Sequence, residues 1–316
     1  MNWVPRYSIS EKLLATIRTI GEAYGEFRTF PATDTAMAEW QLQAQTLSAQ
    51  VFTCNALSLS EIRRRFQGDH TDLSRIEVKA LNYQETRQIL FRSVRNGSFE
   101  LNLDLLDWLL ARFREGLGCR PKSDIADDRV RISVLLSGIN CHIRMIDPVI
   151  LAGLFHRQMV LQGFNQGGSG QAIHLLTAAL LGKAGLSVFE LLSIESYFQL
   201  DTDRYWKALG ATCGEPRSRA GGDSTEWLEY FAEGVLHELR RITREFSKQA
   251  AVRPLFEPHY QQIIDYLERQ GSISPREYGV ISSRGFQALS HDFDNLVRLG
   301  LIESKGQGAG RYYVLA

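Results

Sequence analysis

Hydrophobic positions recur every three or four residues along most of the chain, and this periodicity predicts a mainly α protein. Ile9, Leu13, Leu14, Ile17, Ile20 and Tyr24 share one helical face, opened by Ser10 ahead of Glu11. Residues 35–53 give a second, less polarised helix. Ser58 followed by Glu61 is a capping-box pair, and it opens a helix that runs to about Phe66. Residues 83–94 and 103–113 continue the helical pattern, and residues 117–132 read as loop. The alternation of Ile132, Val134 and Leu136, with Ile143 and Met145 beyond, predicts a short β-hairpin. Ile150, Leu151, Leu154, Phe155, Met159 and Leu161 then predict a helix that runs into a glycine-rich stretch, residues 163–170. Ile173, Leu175, Leu176, Ala179, Leu180 and Leu181 start another helix directly after it.

Residues 213–223 read as loop, and a long helix follows from Thr225 to about Val252, with Trp227, Phe231, Val235, Leu239, Ile242 and Phe246 as its apolar stripe. Arg253-Pro254 marks a boundary, because proline disfavours helix at the preceding residue. Beyond it the pattern predicts three helices: one on Tyr260, Ile263, Ile264, Tyr266 and Leu267, one opened by Ser274-Pro275, and one over residues 283–299. Residues 301–305 and 311–315 alternate with period two around a Gln-Gly-Ala-Gly turn, the pattern of a hairpin. Three helices and a terminal hairpin make a winged helix-turn-helix. The predicted organisation is an N-terminal helical region at 1–95, a core at 96–253 and a winged helix at 254–316.

A glycine-rich loop feeding a helix N-terminus presents backbone N–H groups and the positive end of the helix dipole, a general device for binding anions. Here it comes without charge: no Lys, Arg, His, Asp or Glu lies between Gln158 and Gln171. Lys and Arg total 36 and Asp and Glu also total 36, so no global field draws the 316-residue chain to nucleic acid or membrane. The four cysteines are scattered, with neither a CxxC nor a His/Cys cluster, so no metal site is expected. The first residues lack a charged segment followed by an apolar one, and no apolar run approaches bilayer length. These features predict a cytoplasmic protein that does not enter a membrane.

The order of the elements resembles the Fic (Fido) proteins, in the subgroup with an N-terminal helical region and a C-terminal winged helix. The resemblance runs from about Tyr7 to the end of the chain. It is carried by Leu57 to Ile62 and Ala80 to Tyr83, by the helix, loop and helix of residues 154–176, by Ser193 to Tyr197 with Asp203 to Leu209, and by Gly222 to Phe231. The implied fold is a Fic-type helical core and the implied activity is protein adenylylation. In that family the core loop reads HPFx(D/E)GNGRxxR: the histidine is the general base, the acidic residue holds Mg²⁺ and the arginines neutralise phosphates. On this chain the base position is Gly163, the acidic position Gly167, and the arginine positions Gln171 and His174, while Gly168 and Gly170 are kept. Losing the base removes acid–base assistance of about 10² to 10⁴ in rate, and losing metal and arginines leaves the transferred group's charge unsupported. The family's inhibitory motif, Ser/Thr-x-x-x-Glu-Gly/Asn, aligns with residues 49–54, where Thr53 replaces the glutamate.

The resemblance thus implies a pseudoenzyme with no catalytic residue. Gly168, Ser169, Gly170, Gln171 and His174 are the candidates for holding a nucleotide without turnover; the alternative is an inherited turn between helices. His156 and His174 each have a structural reading as packed side chains. On the predicted winged helix, Arg284, Gln287 and His291 lie opposite the apolar face and are candidates for reading base edges. Lys305 and Arg311 on the wing are candidates for phosphate contact. Against this stand Asp292 and Asp294 on the same helix and a near balance of charge over 254–316. Pooling of charge in a homodimer, with the basic cluster from Arg240 to Arg253, would offset that balance. Three functions stay open: a DNA-binding regulator, a scaffold for a nucleotide or a protein partner, and a residual protein adenylyltransferase.

Overall fold

A computed structural model describes residues 5–29, 34–117, 129–163, 169–210, 222–252, 258–282, 286–298, 301–306 and 308–315. The protein is mainly α. Its chain divides into two compact units, Met1–Thr243 and Arg244–Ala316. The boundary expected at Arg253-Pro254 lies outside the described residues.

The first unit contains α1 (Glu11–Phe27), α2 (Asp34–Phe52), α3 (Leu59–Phe66), α4 (Arg75–Arg95), α5 (Leu103–Arg114), α6 (Arg129–His142), α7 (Pro148–Leu161), α8 (Ser169–Lys183), α9 (Ile194–Leu200), α10 (Thr202–Leu209) and most of α11 (Thr225–Val252). A 3-10 turn at Ser187–Leu191 follows α8. The starts are written locally. Ser58 and Glu61 form the predicted capping box of α3, and Ser74 with Glu77 form a second one on α4. That second box places the start of α4 eight residues before the helix read from periodicity, at Arg75 rather than Tyr83.

α7 lies at the centre. Every residue from Val149 to Leu161 is buried, as suits a helix apolar on all sides. Its start is fixed by Asp147, whose carboxylate accepts from the backbone N–H groups of Val149 and Ile150. The chain's beginning is tied to the start of α11: Ser10 Oγ donates to Glu229 at 2.6 Å, and Lys12 pairs with Glu233 at 2.7 Å.

The hairpin expected over residues 130–145 is instead α6. Its buried positions are Ile132, Leu135, Leu136 and Ile139, a helical stripe, while Val130 and Val134 face out. Val130, Ile132, Val134 and Leu136 do alternate, but Leu135 and Ile139 join Ile132 and Leu136 at helical spacing, and it is this second set that is buried.

The second unit, described by itself, holds α12 (Pro258–Gln270), α13 (Pro275–Ile281), α14 (Phe286–Arg298), β1 (Ile302–Lys305) and β2 (Tyr312–Leu315). The strands pair antiparallel, Ile302 with Leu315 through Lys305 with Tyr312. Ile273 exchanges two backbone hydrogen bonds with Tyr313, tying the hairpin to the start of α13. Ile263, Leu267, Ile273, Tyr278, Leu289, Phe293, Leu296, Ile302 and Tyr313 form one buried core. Phe293 stacks on Tyr313 with ring centroids 4.2 Å apart.

Candidate functional site

In the first unit, the junction of α7 and α8 is built as the sequence predicts at both of its described ends. Gly163 closes α7 with φ of 86°, a left-handed conformation that glycine adopts without steric cost. α8 begins at Ser169, which puts Gly170 in its first turn. Gly167 and Gly168 lie outside the described residues.

Gln171 and His174 sit three residues apart on α8 and so share a face. Gln171 is 5% exposed, and its Nε2 has no hydrogen-bond partner among the described residues. The half-buried His174 ring packs against Phe52 at 5.4 Å, His156 at 5.0 Å and Phe198 at 5.9 Å. Burial holds His174 below the ordinary histidine value, with the nearby Glu195 carboxylate pulling the other way. Glu195 is itself buried, and its Oε1 has no hydrogen-bond partner among the described residues. At neutral pH this face therefore carries an amide and a neutral imidazole.

The end of α2 completes the surroundings. Phe52 touches both His174 and Tyr83, the latter at 4.8 Å. Thr53 is buried, and its hydroxyl donates to the Gln50 carbonyl. The structure thus brings the end of α2 beside the first half of α8, through the contact of Phe52 with His174.

His156 is fully buried in this unit. Thr177 Oγ1 donates to the Ile173 carbonyl at 2.7 Å, so it accepts from His156 Nδ1 at 3.2 Å. His156 Nε2 then accepts from the Tyr205 hydroxyl at 3.1 Å. The ring stacks on Trp227, whose Nε1 donates to the Gly153 carbonyl at 2.7 Å. Burial, and secondarily His174, keep His156 well below the usual histidine range. Both ring nitrogens are satisfied, so His156 is a packing residue, in line with its sequence reading.

Two buried arginines were not singled out from the sequence. Arg157 on α7 gives its guanidinium to the Leu209 and Gly222 carbonyls and to Ser224 Oγ. Arg87 on α4 gives its own to Tyr83 Oη and to the Glu190 and Leu192 carbonyls. Apart from Tyr83, one turn before Arg87 on α4, their acceptors lie tens of residues away in sequence. Both guanidinium groups are turned into the unit and held by backbone carbonyls and hydroxyls.

In the second unit, α14 turns Leu289, Phe293 and Leu296 into the core, as the spacing predicts. Arg284 lies outside the described residues, and Gln287 falls in the first turn of α14. His291 is exposed, with Asn295 Nδ2 at 2.6 Å from its Nδ1. Asn295 also donates to the Tyr260 hydroxyl and accepts from Arg298. Asp292, by contrast, points inward. It is 1% exposed, accepts from the Tyr278 hydroxyl at 3.2 Å and lies 3.2 Å from His259 Nε2. On the hairpin, Lys305 pairs with Glu303 at 2.5 Å, which raises the lysine and lowers the glutamate from their ordinary values. Arg311 donates to Ser304 Oγ at 2.8 Å and lies over the Tyr313 ring.

Compared with models of protein families and with curated proteins, the chain matches none. Among the described residues no helix is long and apolar enough to cross a membrane.

Proposed function

We propose that this chain is a Fic-type pseudoenzyme that works as a DNA-binding regulator, through a winged helix-turn-helix formed by its second unit. The observation that carries the reading is the inward turn of Asp292. Its charge is spent on Tyr278 and His259 inside the unit, and of the two aspartates on α14 only Asp294 stays on the surface. The outward face of α14 then offers His291 and Arg298, with Lys305 and Arg311 on the hairpin beyond it. Phosphate contact dominates affinity for DNA, so removing a carboxylate from this face matters more than the charge balance of the whole unit suggests. Lys305 pairs with the exposed Glu303 and Arg311 with the exposed Ser304, hydrogen bonds that phosphates displace at small cost. The test is a shift of DNA flanking the chain's own gene. Arg311→Ala is expected to weaken all sequences alike, whereas Arg284→Ala is expected to relax base preference at a cost of about 1–3 kcal/mol.

A second reading, a scaffold that holds a nucleotide or a protein partner without turnover, is favoured by one observation: the buried Nε2 of Gln171 at the start of α8, which has no partner among the described residues. Both readings exclude AMP transfer, because Gly163 offers no base and Gln171 no charge. With labelled ATP and Mg²⁺, no label is expected on the chain or on added protein. Labelling that disappears when Gly170 is made bulky would contradict this and restore the transferase.

A further inference from the structure

The outward side of α14 carries a hydrogen-bonded chain that spacing along the sequence does not reveal. His291, Asn295 and Arg298 follow one another at four and then three residues, so they share one stripe of the helix. The half-buried Asn295 stands at the centre of the chain. Its Oδ1 accepts from Arg298 Nη2 at 3.2 Å. Its Nδ2 donates to the Tyr260 hydroxyl at 2.8 Å and lies 2.6 Å from His291 Nδ1. Tyr260 belongs to α12 and packs against the unit's core, so the amide is held from a fixed side.

Donor chemistry decides what His291 can offer. A guanidinium only donates, so Arg298 keeps the Asn295 oxygen on its own side and turns the amide nitrogen toward His291. An amide nitrogen also only donates. His291 Nδ1 must therefore accept, and the ring proton sits on Nε2. His291 is exposed, and its Nε2 has no partner among the described residues.

We propose that Asn295 is a positioning residue that presents His291 to DNA as a hydrogen-bond donor through Nε2, and that the base so read is guanine. The inference rests on the DNA reading of the second unit and deepens it. In the major groove guanine offers two acceptors, N7 and O6, adenine and thymine offer one each, and cytosine offers only a donor. A single N–H meets guanine most readily and cytosine not at all. Phosphate is the other acceptor that DNA presents. Asp294 is exposed beside Asn295 and disfavours an anion at this stripe, whereas base edges carry no charge.

The experiment has two arms on the full chain. In the first, long-range ¹H–¹⁵N spectra are recorded without DNA on chain labelled in histidine, and His291 is assigned by the signals missing from His291→Gln. Nδ1 is expected to be unprotonated and Nε2 protonated, and Asn295→Ala is expected to draw the two nitrogens toward a mixture of tautomers. A proton on Nδ1, or nitrogens that ignore Asn295→Ala, would overturn the positioning role. In the second arm, the wild-type chain selects from random duplex DNA, and each variant is measured on the selected duplex and its single-base replacements. At one position guanine is expected to be preferred over cytosine about fivefold, the worth of one net hydrogen bond. His291→Ala is expected to abolish that preference and leave the salt slope unchanged, and Asn295→Ala to reduce it. If His291→Ala weakens all sequences alike, or changes no preference, the guanine assignment falls while the DNA reading stands. A wild-type chain that selects no DNA would overturn both of these, whereas the first arm judges Asn295 by itself.

Discussion

His156 and His174 couple the first unit's stability to pH. Burial holds both below the ordinary histidine value of 6.5, so the folded chain resists protons that the unfolded chain accepts. Their contribution is complete above about pH 6.5 and is lost as pH falls toward the folded values, at about 1.4 kcal/mol per pH unit for each histidine. Glu77 acts in a lower window. Its hydrogen bonds to Ser74, and next to Arg65, hold it at about 2 against an ordinary 4.5, so its contribution is lost only below that ordinary value. Denaturant titrations between pH 7 and 4.5 therefore isolate the histidines, and all five tryptophans lie in the first unit to report on it. His156→Gln is expected to flatten the slope, and an unchanged slope would count against this assignment. That Gln171 and His174 lie on one helix was legible from the apolar spacing of residues 173–181. Thr177, Tyr205 and Glu195 were not, because what makes them neighbours of a histidine is the folding of three helices, not spacing along one.

At the scale of elements, capping chemistry was the most faithful signal. Ser58 and Glu61 announced α3, and Ser74 and Glu77 announced α4 just as plainly, although periodicity alone missed its first eight residues. α6 was misread because Ile132 and Leu136 belong both to the alternating set with Val134 and to the helical set with Leu135 and Ile139; burial decides between them. The packing of α8 on the turn after it gives a sharp test. A Cβ on Gly182 would stand 2.5 Å from Phe189 Cδ1, and Phe189 is itself buried edge-on against Phe91. Alanine is the better helix former by about 1 kcal/mol, but a ring fixed on both sides has nowhere to go. Gly182→Ala is expected to destabilise the first unit by roughly 1–3 kcal/mol, measured by urea denaturation. Equal or higher stability in the variant would show that Phe189 can move.

For the whole molecule, the balance of 36 basic and 36 acidic side chains removes long-range steering. Any affinity for DNA must arise from a few local cations, and composition could not say where they stand. The sequence placed Asp292 on α14 but not inside the unit, since helical spacing sets it between the core-facing Leu289 and Phe293 without naming the tyrosine and histidine that receive it. The most direct measurement is fluorescence anisotropy of the full chain on DNA flanking its own gene, from low salt to about 0.15 M. Saturable binding is predicted, with affinity falling as salt rises. Arg311→Ala and Lys305→Ala are each predicted to lower the magnitude of that salt slope by about one. Absence of binding at low salt, or binding whose salt slope ignores both substitutions, would contradict the regulator reading.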